Sequence, residues 1–289
     1  MDLTSLATQV LTGLAYGMLL FMISSGLSVI FGLMNVVNLA HGAFYVMGVY
    51  IAFSLTNMQL GFWVALVLGT LAVAALGVLI ERFLLTRTYG NDLNEVLLTF
   101  GIAFILADVV RLIWGSQPRT LAEPAILTFR VAFAGVEFPA YRLFVVAVGC
   151  LVAALLWYFE TKTRIGAIVR AGVDDREMIS ALGINVRQVF SGVFAFGAGL
   201  AALGGILGGP IRGMYPSQGF DVLVVALIVV VLGGLGTWKG AFVGALLVGM
   251  VQTLGLVYFP SLSLVIVFVL MAVVLLVKPS GLFGRSVST

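Results

Sequence analysis

Polar side chains inside apolar stretches are the residues of this sequence that could do chemistry. A polar group in such a setting is costly, so each one is a functional candidate by default. Asn35, Asn38 and His41 follow one apolar segment, where a helix break would present a free helix N-terminus. Such an end either binds an anionic group of a substrate or is part of a tight, capped connection. These three residues are the first candidates for a substrate pathway.

Three further candidates lie in later apolar segments. Asp108 and Arg111 are three residues apart, the spacing of an ion pair on one helix face. Arg111 could instead bind a substrate carboxylate, and Gln252 is open to the same two interpretations, structural or substrate-binding. All three are therefore included among the substrate-pathway candidates.

The remaining reactive residue types argue against an enzyme. Cys150 and His41 are each the only residue of their type, which excludes a disulfide framework and a cage of Cys and His around a metal. A phosphate-binding loop needs Gly before its Lys and Ser or Thr after it, but Trp238 and Gly240 flank Lys239. We predict no catalytic residue, no metal and no cofactor in this chain.

Composition indicates the environment in which these residues work. The chain has 289 residues, 62% hydrophobic and only 9% charged, whereas soluble domains carry about 25% charged residues. Positions 3 to 80 contain no Lys, Arg, Asp or Glu. Because a helix needs about 20 apolar residues to cross a bilayer, this run alone holds about three crossings. The net charge of +3 comes from scattered residues and gives no support to nucleic-acid binding.

The charges divide the chain into segments that we predict to be transmembrane helices, since lipid cannot satisfy open backbone groups. The expected fold is an all-α polytopic membrane protein with about nine transmembrane helices (eight to ten), some broken or re-entrant, in one domain over residues 1–289. The stretch from Gly32 to Gly42 could be a turn, a re-entrant piece or a broken helix. The predicted spans are 8–31, 38–57, 61–82, 94–114, 142–160, 189–209, 221–237, 240–258 and 262–278.

The distribution of basic residues predicts the orientation. If residues 161–188 face the cytoplasm, nine spans place ten basic residues on that side and four on the other. This bias predicts an external N-terminus and a cytoplasmic C-terminus. An external loop then covers residues 115–141, where the alternating stretch 126–138 could form a small hairpin. The ten are Arg82, Arg87, Lys162, Arg164, Arg170, Arg176, Arg187, Lys239, Lys278 and Arg285.

The cytoplasmic segment 161–188 is predicted to be mostly helical. Asp174 and Glu177 form a near capping box at a helix start, and Gly183 suits a left-handed helix stop. A short surface helix must bury its apolar face against the protein's own helix ends, the lipid surface or a cytoplasmic partner. That face is formed by Met178, Ile179 and Leu182.

Three blocks of sequence, in order and spread over nearly the whole chain, are together more specific than any one alone. They are residues 31–42, residues 164–171 with 181–185, and residues 232–236 with the tail 279–284. In this combination the chain resembles the inner-membrane permease subunits of the branched-chain (hydrophobic) amino acid ABC importers. Two departures are Ala43, where an acidic residue is common, and Lys239, where Pro is common; they bear on the substrate rather than on the fold.

The resemblance implies a function and a set of partners. The chain would be a permease subunit in a bacterial inner membrane, working by alternating access with cytoplasmic ABC ATPase subunits, a second homologous permease subunit and an extracytoplasmic substrate-binding protein. The segment 164–185 would be the element that docks on an ATPase subunit. The residues implied in coupling are Arg164, Gly166, Arg170, Ala171, Asp174, Glu177, Met178, Ala181, Leu182, Gly183 and Ile184.

Other functions stay open at this point. Related permeases serve urea, short amides or small organic acids. An ion-coupled secondary carrier would usually show acidic residues or His in several spans, and Asp108 is the only acid away from the ends of the predicted spans. A passive solute channel would not need a well-defined cytoplasmic coupling helix.

Overall fold

The computed structural model describes residues 3–133, 136–174 and 176–284, and most of them are helical. The helices are α1 (Leu3–Met34), α2 (His41–Asn57), α3 (Phe62–Phe83), α4 (Asp92–Trp114), α5 (Ala140–Lys162), α6 (Arg164–Asp174), α7 (Arg176–Ala181), α8 (Val186–Arg212), α9 (Gln218–Gly233), α10 (Trp238–Tyr258) and α11 (Ser263–Val277). Two short strands, β1 (Arg130–Phe133) and β2 (Val136–Pro139), precede α5. The predicted helical fold is confirmed for the described residues.

Each of the nine predicted spans corresponds to one long apolar helix, α1 to α5 or α8 to α11, with ends that differ by at most five residues. Seven of these helices are long and apolar enough to cross a membrane, α11 only together with the helical turn Pro260–Leu262 that precedes it. The other two, α2 and α9, have only 17 and 16 residues. Their shortness is the main departure from the expected pattern.

Local sequence explains where several helices begin and end. Asn91 and Asn185 precede α4 and α8, and each side chain accepts a hydrogen bond from the backbone N–H three residues further on, at 3.1 and 3.2 Å. Gly115 and Gly213 follow the same two helices with φ angles of 83° and 68°. Glycine adopts this left-handed conformation without a steric penalty, so both positions are natural stops.

The core is built around α1 and α8, which are buried along most of their length, whereas α3, α5 and α11 expose most of theirs. Glycines allow the backbones to approach closely, as at Gly26 of α1, where a Cβ atom would lie 2.6 Å from the carbonyl oxygen of Gly197. At Gly249 of α10 a Cβ atom would lie 2.5 Å from the Cα atom of Gly17. Small residues at such contacts allow the close packing typical of membrane helices.

The loop between α4 and α5 carries the predicted hairpin. Strands β1 and β2 pair antiparallel, with Arg130 opposite Pro139, and an ion pair of 3.5 Å joins Arg130 to Glu137. Earlier in the same loop, Arg119 exchanges two backbone hydrogen bonds of 2.9 and 2.8 Å with Met214, which follows α8. The loop is therefore fixed to the connection between α8 and α9.

Candidate functional site

The break after α1 turns the chain back into the helix bundle. Asn35 has a φ angle of 55° and begins the irregular segment. The Oδ1 atom of Asn38 accepts a hydrogen bond of 3.0 Å from the N–H of Ala40, and Thr99 of α4 accepts one of 3.2 Å from the N–H of Leu39. These side-chain bonds satisfy the N–H groups of Leu39 and Ala40, which have no helical hydrogen bonds in this irregular segment.

His41 shows how far the chain returns. Its Nε2 atom donates a hydrogen bond of 2.9 Å to the carbonyl oxygen of Ile23, and its side chain is fully buried. Ile23 lies eleven residues before the end of α1, which is about 16 Å along a helix. Of the three forms left open by the sequence, the structure therefore has a re-entrant segment. The Nδ1 atom of His41 and the Nδ2 atom of Asn38 have no hydrogen-bond partner among the described residues.

A second re-entrant connection precedes α9. Residues 213–217 link it to the C-terminal end of α8, and its 16 residues span about 24 Å, less than the roughly 30 Å of the hydrocarbon layer. The backbones of Gly42 and Gly219 touch, since a Cβ atom on Gly42 would collide with the carbonyl oxygen of Gly219. The starts of the two short helices therefore meet inside the bundle, an arrangement that transporters use for substrate sites.

Several polar residues lie in a row that begins at Tyr16 of α1 and leads towards this meeting point. We call this row the ladder. The Tyr16 hydroxyl donates a hydrogen bond of 2.9 Å to Oε1 of Gln252. The Arg212 guanidinium lies over the Tyr16 ring, 4.6 Å from its centroid. The Tyr215 hydroxyl, in the connection between α8 and α9, donates a hydrogen bond of 2.7 Å to the Asp221 carboxylate. Only Gln252 of this ladder was a candidate from the sequence.

The other predicted pathway residues lie elsewhere. Asp108 and Arg111 form an ion pair of 3.2 Å on the exposed face of α4, as expected for one of their two interpretations. Asn35 is exposed, whereas Asn38 and His41 are buried. The structure thus separates the six candidates into the re-entrant segment, the ladder and the α4 surface, and the role of each stays a prediction.

The acidic residues require a correction. Asp108 is not the only acid inside a helix that could cross the membrane, because Glu81 of α3 is fully buried. Its carboxylate accepts a hydrogen bond of 2.7 Å from the Tyr89 hydroxyl and a second from the Ser191 hydroxyl of α8. These donors stabilise a buried charge that would otherwise be costly. The count of intramembrane acids therefore does not exclude an ion-coupled carrier.

The predicted coupling segment contains two helices, α6 and α7, and α7 corresponds to the short helix expected between Asp174 and Gly183. Thr163 precedes α6, and its hydroxyl accepts a hydrogen bond of 3.1 Å from the N–H of Gly166. A side chain at Gly166 would collide with the carbonyl oxygen of Phe159, so the turn from α5 into α6 requires glycine. Asp175 lies outside the described residues, as do the side chains of Asp174 and Glu177, and the capping box remains untested.

The far end of this segment agrees with the prediction. Gly183 has a φ angle of 81° and follows the end of α7, as expected of a left-handed stop. Leu182 is 72% exposed and Ile165 of α6 is 63% exposed, so the segment presents apolar side chains at the surface. Arg164, Arg170, Ala171, Met178 and Ala181 are exposed as well, whereas Gly166 is buried and Ile184 is half-buried.

Two blocks that carry the family resemblance meet in space. The N–H groups of Leu282 and Phe283 donate to the carbonyl oxygens of Leu232 and Gly233, at 2.9 and 2.8 Å. The tail therefore closes the end of α9. Gly236, just beyond, is in close backbone contact with Gly32 of the first block.

Long apolar helices, re-entrant short helices and a helical segment at the end of α5 together define a multi-pass helical membrane protein. Residues 9–275 match the family described as "Branched-chain amino acid transport system / permease component". The chain belongs to this family, as its three sequence blocks indicated.

Named relatives agree over almost the whole chain. The chain is 30% identical to the high-affinity branched-chain amino acid transport system permease protein BraD of Pseudomonas aeruginosa, over 96% of this chain and 95% of BraD. It is 32% identical to the corresponding protein LivH of Escherichia coli K12, with the same coverage. It is 26% identical to LivM of the same organism, over 92% of this chain and 68% of LivM.

A solved structure, PsaBC from Streptococcus pneumoniae in complex with Fab, aligns with 92% of this chain and 89% of that chain. The TM-score is 0.49 and the sequence identity is 11%, too distant to inform the site.

Proposed function

We propose that this chain is the membrane permease subunit of an ATP-driven importer for branched-chain or other hydrophobic amino acids in a bacterial inner membrane. The observation that carries the proposal is the family match over residues 9–275. Relatives named as high-affinity branched-chain amino acid permeases cover the same length, and they supply the substrate class.

The proposed topology is one transmembrane domain with nine crossings, an external N-terminus and a cytoplasmic C-terminus. Helices α2 and α9 count as crossings because the segments before them return into the bundle. The orientation is supported by the larger number of basic residues on the side of the chain that contains 161–188 than on the other side. The loop 115–141 then lies outside, where a soluble substrate-binding protein would deliver its cargo.

The proposed partners are cytoplasmic ABC ATPase subunits and a second, homologous permease subunit. Escherichia coli has two permease proteins, LivH and LivM, that both resemble this chain. This supports a pair of permeases around one pathway. The chain contains no phosphate-binding loop, so ATP would be hydrolysed on the separate subunits.

Coupling is assigned to α6 and α7. Helix α6 follows α5 after Thr163 alone, and α7 leads to α8 through a connection closed by the Asn185 cap. A push on the exposed apolar side chains would therefore move α8, which packs against α1, α2 and α3 in the core. Such a rigid-body movement would switch the side from which the pathway is open.

Charging the apolar surface of the coupling segment tests the proposal. Leu182→Glu places a carboxylate where an apolar contact with the ATPase is expected, so co-purification of the ATPase and transport-linked ATP hydrolysis should fall at least tenfold. Thr128→Glu adds the same charge to the exposed outer loop and should leave co-purification of the ATPase unchanged. Leucine uptake by this chain without an ATPase would contradict the proposal.

A further inference from the structure

Asp221 is a charged residue at the depth of the middle of the bundle. It lies in the first turn of α9, whose Ala226 carbonyl accepts a hydrogen bond of 3.5 Å from the Ser24 hydroxyl of α1. Five residues separate Asp221 from Ala226, or about 7.5 Å along the helix. Since α1 and α9 run in the same direction, Asp221 lies beside the midpoint of α1.

The carboxylate at this depth is not enclosed by the described part of the subunit. Asp221 is exposed, and its hydrogen bond from Tyr215 is its only polar contact among the described residues. A charge in the hydrocarbon layer is strongly disfavoured, so lipid cannot cover this face. Water in a pathway, a ligand or a second subunit must lie against it.

Arg212 supplies the opposite charge nearby without pairing with Asp221. Its guanidinium stacks on Tyr16 and is not within 4 Å of a carboxylate in the described residues. It is nevertheless close enough to act electrostatically on Tyr215, the residue that donates to Asp221. The two opposite charges therefore share one tyrosine as a neighbour, and neither is neutralised by an ion pair within the described residues.

An apolar cleft adjoins these charges. It lies between α2, α4 and the start of α9, has a volume of only about 10 Å³, and its lining includes Pro216, Gly219 and Phe220. Ala103 and Ala107 of α4 form part of the opposite wall. The residues next to Tyr215 and Asp221 in the chain thus contribute to an apolar surface against which an aliphatic group could pack.

We propose that Asp221 and Arg212 form the zwitterion-recognition site of the pathway, Asp221 binding the ammonium group and Arg212 the carboxylate of an α-amino acid. The aliphatic side chain of the substrate packs against the adjoining apolar surface at the start of α9. The inference rests on the proposed function, which supplies the substrate class, and adds the residues that recognise it. Tyr215 is a positioning residue that orients the Asp221 carboxylate.

The test measures import and ATP hydrolysis separately in the complete complex reconstituted in liposomes with its binding protein. Asp221→Asn should lower the number of leucine molecules imported per ATP hydrolysed by about tenfold, the effect of losing about 1.4 kcal/mol of charge-assisted bonding. ATP hydrolysis stimulated by the loaded binding protein should persist. Asp221→Glu should restore most of the import, and Arg212→Gln should reproduce the loss.

Asp92→Asn is the matched control, because it removes an exposed carboxylate from the first turn of α4 and should leave the ratio unchanged. An unchanged ratio in Asp221→Asn would overturn the site. So would dissociation of the two permease subunits in that variant, since Asp221 would then be an intersubunit contact. A wild-type complex that imports no hydrophobic amino acid would instead contradict the proposed function, so the two failures are distinguishable.

Discussion

Glu81 connects three parts of the subunit. Its carboxylate belongs to α3 and accepts hydrogen bonds from Tyr89, in the connection to α4, and from Ser191, in the second turn of α8. Helix α8 follows directly on the proposed coupling segment. This one carboxylate therefore fixes the base of the helix that would transmit movement into the core.

Removing the carboxylate should destabilise the subunit. Glu81→Ala leaves two hydroxyl groups without this acceptor, which should lower the free energy of unfolding by about 1–3 kcal/mol. Thermal unfolding of the purified protein in detergent would measure the change. Glu137→Ala is the control, because its exposed ion pair contributes about 0–1 kcal/mol. Equal unfolding temperatures for the two variants would contradict the assigned role.

Local sequence predicts neither the burial of Glu81 nor the depth of Asp221 in the bundle. Glu81 stands one residue before the predicted end of a span and beside Arg82, the pattern of a charge at the membrane surface. Its burial depends on Ser191, which is 110 residues away in the chain. Asp221 was placed at the first residue of a predicted span, and its depth depends on the return of residues 213–217. Both cases rest on long-range packing.

Helices α2 and α9 differ from their neighbours in where they begin. Each starts inside the bundle after an irregular segment, and Gly42 and Gly219 bring the two starts into backbone contact. A helix end within the bundle leaves N–H groups that are not used by the helix itself. The contact therefore places two polar helix ends near the candidate substrate site.

A methyl group at this contact should disrupt it. Gly42→Ala places a Cβ atom against the carbonyl oxygen of Gly219, and such overpacking typically costs about 1–3 kcal/mol. The variant should therefore show a lower unfolding temperature and reduced leucine import. Gly101→Ala on α4 is the matched control, since no atom lies within 4 Å of the added methyl group. A Gly42→Ala protein as stable as the control would show that the helix starts can separate freely.

At the level of elements the sequence predicts more than at the level of residues. Nine apolar segments were recognised because a helix is the only way to satisfy the backbone of such a segment in lipid. The start of α2 was left open among three forms, and the starting depth of α9 was not recognised, since 221–237 has the length of an ordinary crossing. The short helix expected between Asp174 and Gly183 corresponds to α7, and α6 agrees with the mostly helical segment expected around it.

The whole molecule has two different ends. One end carries the hairpin loop, joined to the α8–α9 connection through Arg119 and Met214. The other carries α6, α7 and the tail that closes the end of α9. A substrate-binding protein and an ATPase need such distinct docking ends, so the orientation of the chain decides which partner meets which surface.

Labelling of single cysteines should establish the orientation. In a Cys150→Ala background, a membrane-impermeant maleimide applied to intact cells should label Thr128→Cys in the outer loop and not Thr161→Cys at the end of α5. Both positions are exposed, so lysis should make the second one reactive. The background protein without cysteine controls for non-specific labelling. The opposite pattern would invert the proposed topology.

The burial of α1 has a consequence for how the subunit is assembled in the membrane. Gly17 packs against Gly249 of α10, yet α10 begins 204 residues after α1 ends. Until α8, α9 and α10 are synthesised and inserted, α1 lacks most of its packing partners, and Ser24, Ser25 and Ser28, which are buried in the folded protein, are not yet enclosed. Such non-local contacts form late, because a long intervening chain must be ordered first. The first helix to enter the membrane is thus among the last to be enclosed by protein.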